Sequence, residues 1–287
     1  MKTLPSKPPP VIYHYTNDRG LSGILGTGKI WLTDIFSLND PSELRHGLSH
    51  GISVLERRVA NGAPETKQFA QGLDTFFSHV GAERSGHYYI CSFSSCGDDL
   101  GQWRAYADNG RGYAVGFDAN VFENAFTQPP TVNTEAYHIT YEDNRLDALL
   151  DQIIGCYLRT VDLDLILQCG VSAMQKADLY TWLTLYLLRA ALFFKHAAYA
   201  NEREYRFLQY YGADKQPPNL KLRARAYSLI KYREFDWEVV AAGALKKIVV
   251  GPAAHYERGP LFARDCLRLC NAATVPISRS EIPYRAG

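Results

Sequence analysis

Two short segments of this sequence carry side chains whose types and spacing suit chemistry on a bound substrate. Segment 202–206 reads EREYR, and a strand there would place Glu202, Glu204 and Arg206 on one face. The opposite face would combine an arginine with two aromatic rings, so a simple apolar-in, polar-out strand does not explain the pattern. Segment 13–16 reads YHYT and offers an imidazole and stacking rings beside a cleft. We therefore expect a functional site between these two segments.

A phosphate-binding loop is disfavoured at the one segment that resembles its motif. Residues 23–29, GILGTGK, satisfy the GxxxxGK pattern, but Ile30 follows where magnesium binding needs Ser or Thr. The predicted order is also helix to strand, so no helix N-terminus faces a phosphate. The glycines predict the end of a helix instead.

Metal-binding patterns are weak. Glu43, His46 and His50 share one face of a predicted helix, but no second Glu-x-x-His accompanies them, which favours solvated polar residues. The six cysteines include no CxxC pair and match no ordinary zinc framework. We expect reduced thiols and no bound metal.

Segment 222–233 interleaves Arg223, Arg225, Lys231 and Arg233 with two tyrosines. Such spacing suits phosphate contacts and base stacking, and it equally suits a solvated face. The formal net charge is only +1, so any nucleic acid must be held by a local patch of this kind.

Composition indicates an ordered globular protein, since 46% of residues are hydrophobic and 21% are charged. The first ten residues lack the apolar stretch of a secretory signal, and the most apolar run, 182–194, is short and contains Arg189. We expect a cytoplasmic protein with no membrane span. The sequence does not indicate an oligomeric state.

The elements that must position the two segments alternate irregularly between strand and helix, which predicts an α+β fold. We expect one domain over 1–287: an extended arm at 1–10, a core at 11–142 and 201–287, and a helical insertion at 143–200. The predicted strands are 11–16, 30–33, 87–94, 112–117, 136–141, 203–211, 234–240, 247–250 and 275–282. The predicted helices are 21–28, 40–59, 65–80, 100–107, 144–200 and 260–271.

Motifs along nearly the whole chain resemble a bacterial family known as domain of unknown function 2971. The matching segments are 13–16, 20–21, 24–25, 30–31, 39–41 with Glu43, 91–94, 103–106, 112–117, Lys195, 202–206 and 248–252. The opening strand, helix and strand of this family is similar to that of the ADP-ribosyltransferase fold, which includes toxins that modify nucleic acid. The resemblance implies an ADP-ribosyltransferase-like mixed sheet core and NAD as co-substrate.

The resemblance also implies roles for individual residues. His14 would bind NAD, Ser92 or Ser94 would be the serine of the second motif, which lies on a strand, and Glu204 would orient the nicotinamide ribose. Glu202 would complete a Glu-x-Glu pair that engages the acceptor.

Three further side chains complete the implied NAD site. Tyr13 or Tyr15 would stack on nicotinamide, and Arg206 would pair with the pyrophosphate or brace the catalytic glutamate. Cleavage of the nicotinamide–ribose bond develops oxocarbenium character, so a fixed carboxylate lowers the barrier electrostatically.

We therefore expect an NAD-dependent ADP-ribosyltransferase-like enzyme that modifies a nucleic acid or protein acceptor, or hydrolyses NAD. A toxin or phage-defence role follows only by analogy. Two alternatives stay open: a non-catalytic nucleotide-binding module, and a nuclease with Asp40, Glu43 and Glu204 around magnesium.

Overall fold

The structure, a computed structural model, describes residues 7–38, 86–128, 133–160, 191–212 and 214–286, together with nine isolated residues between these ranges. Residues 153–160 are described by their helical backbone only. The predicted helices 40–59 and 65–80, and with them Asp40, Glu43 and His46, lie almost entirely outside the described residues. Most of 161–190 and residues 1–6 of the predicted arm also lie outside them.

Strands and helices alternate along the described chain. The strands are β1 (Val11–Thr16), β2 (Lys29–Asp34), β3 (Gly86–Ser94), β4 (Tyr113–Asp118), β5 (Asn133–His138), β6 (Glu204–Gly212), β7 (Lys221–Arg225), β8 (Ser228–Asp236), β9 (Leu245–Val250) and β10 (Ile277–Arg279). The helices are α1 (Asp18–Thr27), α2 (Leu100–Tyr106), α3 (Ala119–Thr127), α4 (Asp143–Thr160), α5 (Trp237–Val240) and α6 (Arg258–Leu269). The fold is thus α+β, as predicted.

One large mixed sheet organises the described residues. Its main path runs β10-β9-β4-β1-β3-β2-β8-β7, and β6 lies against β3 with β5 beyond it. The β9–β10 pair is parallel, whereas the other pairs are antiparallel. None of the helices in the described ranges is long and apolar enough to cross a membrane.

The sheet forks along β3. On one edge β3 pairs with β6 over its whole length, from Gly86 to Ser94. On the other edge it pairs with β2 at Tyr89 and Ile90 and with β1 at Ser94. Within the described strands, residues 91–93 therefore have no main-chain partner in β1 or β2, and the two strands leave a gap between them.

The two faces of the sheet differ. One face carries the main apolar core, in which Phe93, Phe117 and Phe207 pack under α1, α3 and α6. Because directly paired residues share a face, the registers place Ser92, Ser94 and their β6 partners on the other face. That second face is the one that borders the fork.

Local sequence explains the ends of the elements that flank the fork. The Asn17 side chain accepts a hydrogen bond from the Gly20 amide at the start of α1, and Gly28 ends the helix with a φ of 66°. Asp99 caps α2 in the same way by accepting from the Gln102 amide. The glycine-rich segment is thus a helix end followed by a strand, as predicted.

Several predicted elements differ from the structure. The strand predicted at 234–240 ends at Asp236, because its side chain accepts from the Val239 amide and caps the short helix α5. The helix predicted over 144–200 does not reach its end, since Phe194 forms a bridge with Thr140 and a 3-10 helix follows at Ala197–Glu202. The helix α3, which Asp118 caps, was not predicted, and neither were strand β7 and residues 228–233 of β8.

Candidate functional site

A cavity of about 360 Å³ opens at the fork between β1 and β2. Ligand sites are commonly concave and of roughly this size or larger. Its wall includes every residue of the NAD site that the resemblance implied: Tyr13, His14, Tyr15, Ser92, Ser94, Glu202, Glu204 and Arg206. The structure therefore brings the segments 13–16 and 202–206 together, with β3 between them.

Glu204 lies on the cavity wall with only 4% of its surface exposed. Its Oε1 accepts hydrogen bonds from Ser92 Oγ and from Arg206 Nε, both at 2.6 Å. Its Oε2 lies 2.8 Å from Lys195 Nζ. The carboxylate is thus fixed from both sides and has little freedom to rotate.

Lys195 joins the two glutamates. Its Nζ, in a side chain that is 7% exposed, also contacts Glu202 Oε2 at 2.7 Å. The other oxygen of Glu202 accepts a hydrogen bond from the hydroxyl of Tyr106 at 2.8 Å. Glu202, Glu204, Lys195 and Arg206 therefore form a buried group of two acids and two bases, which we call the buried charge network.

The network keeps Glu204 ionised. Burial alone would raise the pKa of this carboxyl, but the positive charges of Arg206 and Lys195 and their hydrogen bonds lower it to about 2. At neutral pH Glu204 is an anion that cannot donate a proton. Its chemical capacity is to stabilise positive charge that develops in the cavity.

Glu202 lies outside strand β6, so the alternation of faces along a strand does not explain how its side chain joins the buried charge network. The strand begins at Glu204, and Glu202 ends the preceding 3-10 helix Ala197–Glu202. Between them Arg203 adopts a left-handed φ of 46°, and its carbonyl accepts from the Ser95 amide. The prediction that Glu202 lies on the strand is wrong, because this turn breaks the strand, although the turn still directs its side chain to Lys195.

The two candidate serines have different surroundings. Ser92 contacts Glu204 directly, whereas Ser94 Oγ donates to the carbonyl of Glu202 and accepts from the Cys96 amide. Ser92 thus positions the glutamate side chain, and Ser94 holds the main-chain turn beside it.

His14 fills the gap in the sheet. Its Nδ1 lies 3.1 Å from the Ser92 carbonyl, at the point where β3 has no strand partner on that edge. Because a carbonyl only accepts, Nδ1 carries the proton and Nε2 is left as an acceptor. Burial lowers the pKa of His14, so the ring is neutral at neutral pH.

The tyrosines beside His14 lie on the cavity face but are differently engaged. Tyr15 is buried, and its hydroxyl donates to the Cys96 carbonyl and accepts from the Asp99 amide. Tyr13 is half-buried, with Lys247 Nζ 5.6 Å from its ring centre. Of the two, Tyr13 is the more exposed, and Tyr15 braces the loop after β3.

The guanidinium of Arg206 makes its hydrogen bonds inside the protein, at the buried charge network. Its Nε donates to Glu204 and its NH1 donates to the Leu192 carbonyl at 2.6 Å. Of the two roles that the resemblance implied, this geometry matches the bracing of the glutamate.

Sequence reasoning did not assign site roles to Lys195, Tyr106 or Trp31, which all line the cavity. Lys195 lies inside the predicted helical region 144–200 and matches the family pattern, but neither signal gave it a role, although two nearby buried acids require a basic partner. Within the described residues, no group of three or more His, Cys, Asp or Glu side chains is placed to hold a metal ion.

Residues 102–207 match the model of a family described as Protein of unknown function (DUF2971). The match runs from α2 into β6 and so includes the whole buried charge network, whereas β1 and β3 lie outside it. It supports the family resemblance seen in the sequence. No curated protein and no solved structure matches the chain.

Proposed function

We propose that the cavity binds NAD and that the protein cleaves the nicotinamide–ribose bond, passing ADP-ribose to a macromolecular acceptor or to water. The observation that carries this proposal is the fixed anion of Glu204 on the cavity wall. A carboxylate that stays charged and cannot rotate is suited to an oxocarbenium-like transition state, since no reorganisation is needed as the charge develops.

The arrangement of the three expected motifs supports the proposal. The histidine of β1, the serine of β3 and the glutamate of β6 lie on neighbouring strands, and Ser92 contacts the other two through its carbonyl and its hydroxyl. The Nε2 atom of His14 is an acceptor suited to a ribose hydroxyl or to the carboxamide of nicotinamide. The half-buried ring of Tyr13 is suited to stacking on nicotinamide.

The proposal is tested by nicotinamide release from NAD by the purified protein, with and without cell extract. Glu204→Gln removes the anion and keeps the shape, so we expect release to fall about 100-fold or more. The matched control is Glu123→Gln, since Glu123 bonds to the hydroxyl of Tyr205 on the core face, outside the cavity. Equal release from the wild type and Glu204→Gln would reject the role of Glu204.

Binding of a nucleotide without cleavage is a second candidate. The contacts of Glu204 favour this function. Its two carboxylate oxygens already contact Ser92, Arg206 and Lys195, so they have little capacity left to accept a hydrogen bond from a ribose hydroxyl. Calorimetric titration with NAD separates the two functions. Saturable binding without nicotinamide release supports the binding module and rejects the enzyme.

A further inference from the structure

We propose that the sheet face extending from the cavity across β2, β8 and β7 binds single-stranded nucleic acid, which is the macromolecular acceptor of the proposed reaction. The identification of the acceptor rests on the proposed function, whereas the binding surface itself does not. We call this surface, with Trp31, Arg223, Arg225 and Tyr227 as its main residues, the hairpin face.

Strand registers place the hairpin face on the same side of the sheet as the cavity. Thr33, which lines the cavity, pairs with Tyr232 of β8, and Tyr232 pairs with Lys221 of β7. Alternate residues share a face, so Arg223 and Arg225 follow Lys221 on that side. Three inter-strand spacings, about 14 Å in total, separate β3 from β7. A nucleic-acid strand bound on β7 would therefore lie close to the cavity.

The charge of this face suits phosphate. All three charged side chains of the exposed strand β7 are basic. Lys221 pairs with Glu234 near the base of the hairpin, whereas Arg223 and Arg225 lie toward the tip and form no ion pair among the described residues. Edge strands also carry charge, especially lysine, to prevent pairing with other chains. Two of the three basic residues here are arginines, whose planar guanidinium suits phosphate.

Aromatic side chains lie beside these basic side chains. The guanidinium of Arg223 lies 5.4 Å from the ring centre of Trp31, and Trp31 packs against Tyr232 at 4.5 Å. Trp31 is 45% exposed and also lines the cavity. Aromatic rings and arginine planes are the platforms on which unpaired bases stack, and they favour single strands over a duplex, whose bases are already stacked.

The tip of the hairpin exposes a tyrosine at a conformational cost. Arg225 pairs with Ser228, so the loop between the strands has only two residues, Ala226 and Tyr227. Such loops favour Asn-Gly because they require a positive φ. Tyr227 instead adopts a φ of 61° with its side chain fully exposed. A bulky residue kept in this strained position without packing contacts is explained by a ligand that stacks on its ring.

Binding is tested by fluorescence anisotropy without NAD, using labelled oligothymidylate, oligouridylate and a duplex of equal length. We expect tighter binding of the single strands than of the duplex. In Arg223→Gln/Arg225→Gln the affinity should fall, and the slope of log affinity against log salt should become shallower by about 1.4, or 0.7 per lost phosphate contact. Arg258→Gln/Arg264→Gln, on the exposed surface of α6 across the sheet, is the matched control.

A second variant separates binding from folding. Tyr227→Gly removes the ring and relieves the strained φ, so its thermal midpoint should equal or exceed that of the wild type. Its affinity for single strands should nevertheless fall about tenfold, and Tyr227→Phe should retain binding. Unchanged affinity in Tyr227→Gly and in the arginine variant would overturn the assignment of this surface.

The acceptor is tested separately, with radiolabelled NAD and the same oligonucleotides. Label transferred to a single strand supports the acceptor assignment. If NAD is cleaved but label appears only on protein, in an extract treated with nuclease, the acceptor assignment is overturned. The proposed function would then still stand. Binding of single strands without any cleavage of NAD rejects the proposed function but leaves the binding surface standing.

Discussion

At the scale of single residues, the main feature is that four buried charges cancel one another. Glu202 and Glu204 are each bonded to Lys195, and Arg206 adds a second positive charge at Glu204. Removing a charge from water is costly, and the loss is recovered only where partners and geometry are complete. Each member of the network therefore depends on the others, and Lys195 contacts both acids.

Lys195→Met tests this dependence. The variant keeps most of the side-chain volume but leaves two buried carboxylates with one arginine, so we expect the free energy of unfolding to fall by about 3–5 kcal/mol. Chemical denaturation at neutral pH measures it. The pKa of Glu204 should also rise, because one of the two cations that lower it is gone.

Lys221→Met is the matched control for Lys195→Met. Lys221 contacts Glu234 at the same 2.8 Å distance that separates Lys195 from Glu204, but its side chain is 47% exposed. An exposed ion pair contributes little, so this variant should be nearly as stable as the wild type. Equal losses in the two variants would contradict the account of the network.

The sequence allowed part of this site to be predicted. Charge alternation in 202–206 pointed to Glu204 and Arg206, which share a face of β6 as expected. It could not show that Glu202 reaches Lys195 through a left-handed turn at Arg203, because such turns have no signal in a segment without glycine. Lys195 was among the positions that match the family pattern, but its role became recognisable only through its contacts with both glutamates.

At the scale of elements, the loop at residues 95–99 links the cavity to the end of the chain. The hydroxyl of Tyr15 contacts both Cys96 and Asp99. Asp98 accepts hydrogen bonds from the indole of Trp103, the hydroxyl of Ser280 and the amide of Glu281. The segment after β10 is thus tied to the start of α2, and α2 carries Tyr106 to Glu202.

Asp98→Ala should remove the hydrogen bonds that tie the segment after β10 to the start of α2. Loss of the three hydrogen bonds to a charged group is expected to lower the free energy of unfolding by about 2–4 kcal/mol. It should also speed hydrogen exchange at the Glu281 amide, which donates to Asp98. Asp265→Ala, which removes an exposed ion pair with Arg268, is the control and should change neither quantity appreciably. Slow exchange at Glu281 in Asp98→Ala would show that the segment is held by other contacts.

The elements near the site were predictable because their signals are local. Alternating aromatic and β-branched residues gave β1, β2 and β3, and the glycines gave the end of α1, whereas its start at Asp18, capped by Asn17, was predicted three residues late. Two of the errors occurred where a single aspartate decides between strand and helix. Asp118 and Asp236 both accept from an amide three residues later and start helices that the apolar pattern did not indicate.

At the scale of the whole molecule, burial of titratable groups on both faces of the sheet determines the pH range in which the fold is stable. Burial lowers the pKa of His14 below 6.5, so the unfolded chain takes up this proton first and stability falls as pH drops below 6.5. The pKa of Glu204 is lowered from 4.5 to about 2, so its contribution is lost only between those values. Burial raises the pKa of Cys91 above 9.0, so stability also falls as pH rises past 9.0.

We therefore expect urea denaturation to give maximal stability between pH 6.5 and 9.0, with acid destabilisation in two stages. His14→Gln should reduce the slope of unfolding free energy against pH between 6.5 and 4.5 by up to about 1.4 kcal/mol per pH unit. Glu204→Gln should reduce the slope only below 4.5. Each variant controls for the other, because the effect of His14 begins as pH falls below 6.5, whereas that of Glu204 begins only below 4.5. If His14→Gln lowered stability equally at every pH, the histidine would contribute packing alone, and the first acid stage would belong to other groups.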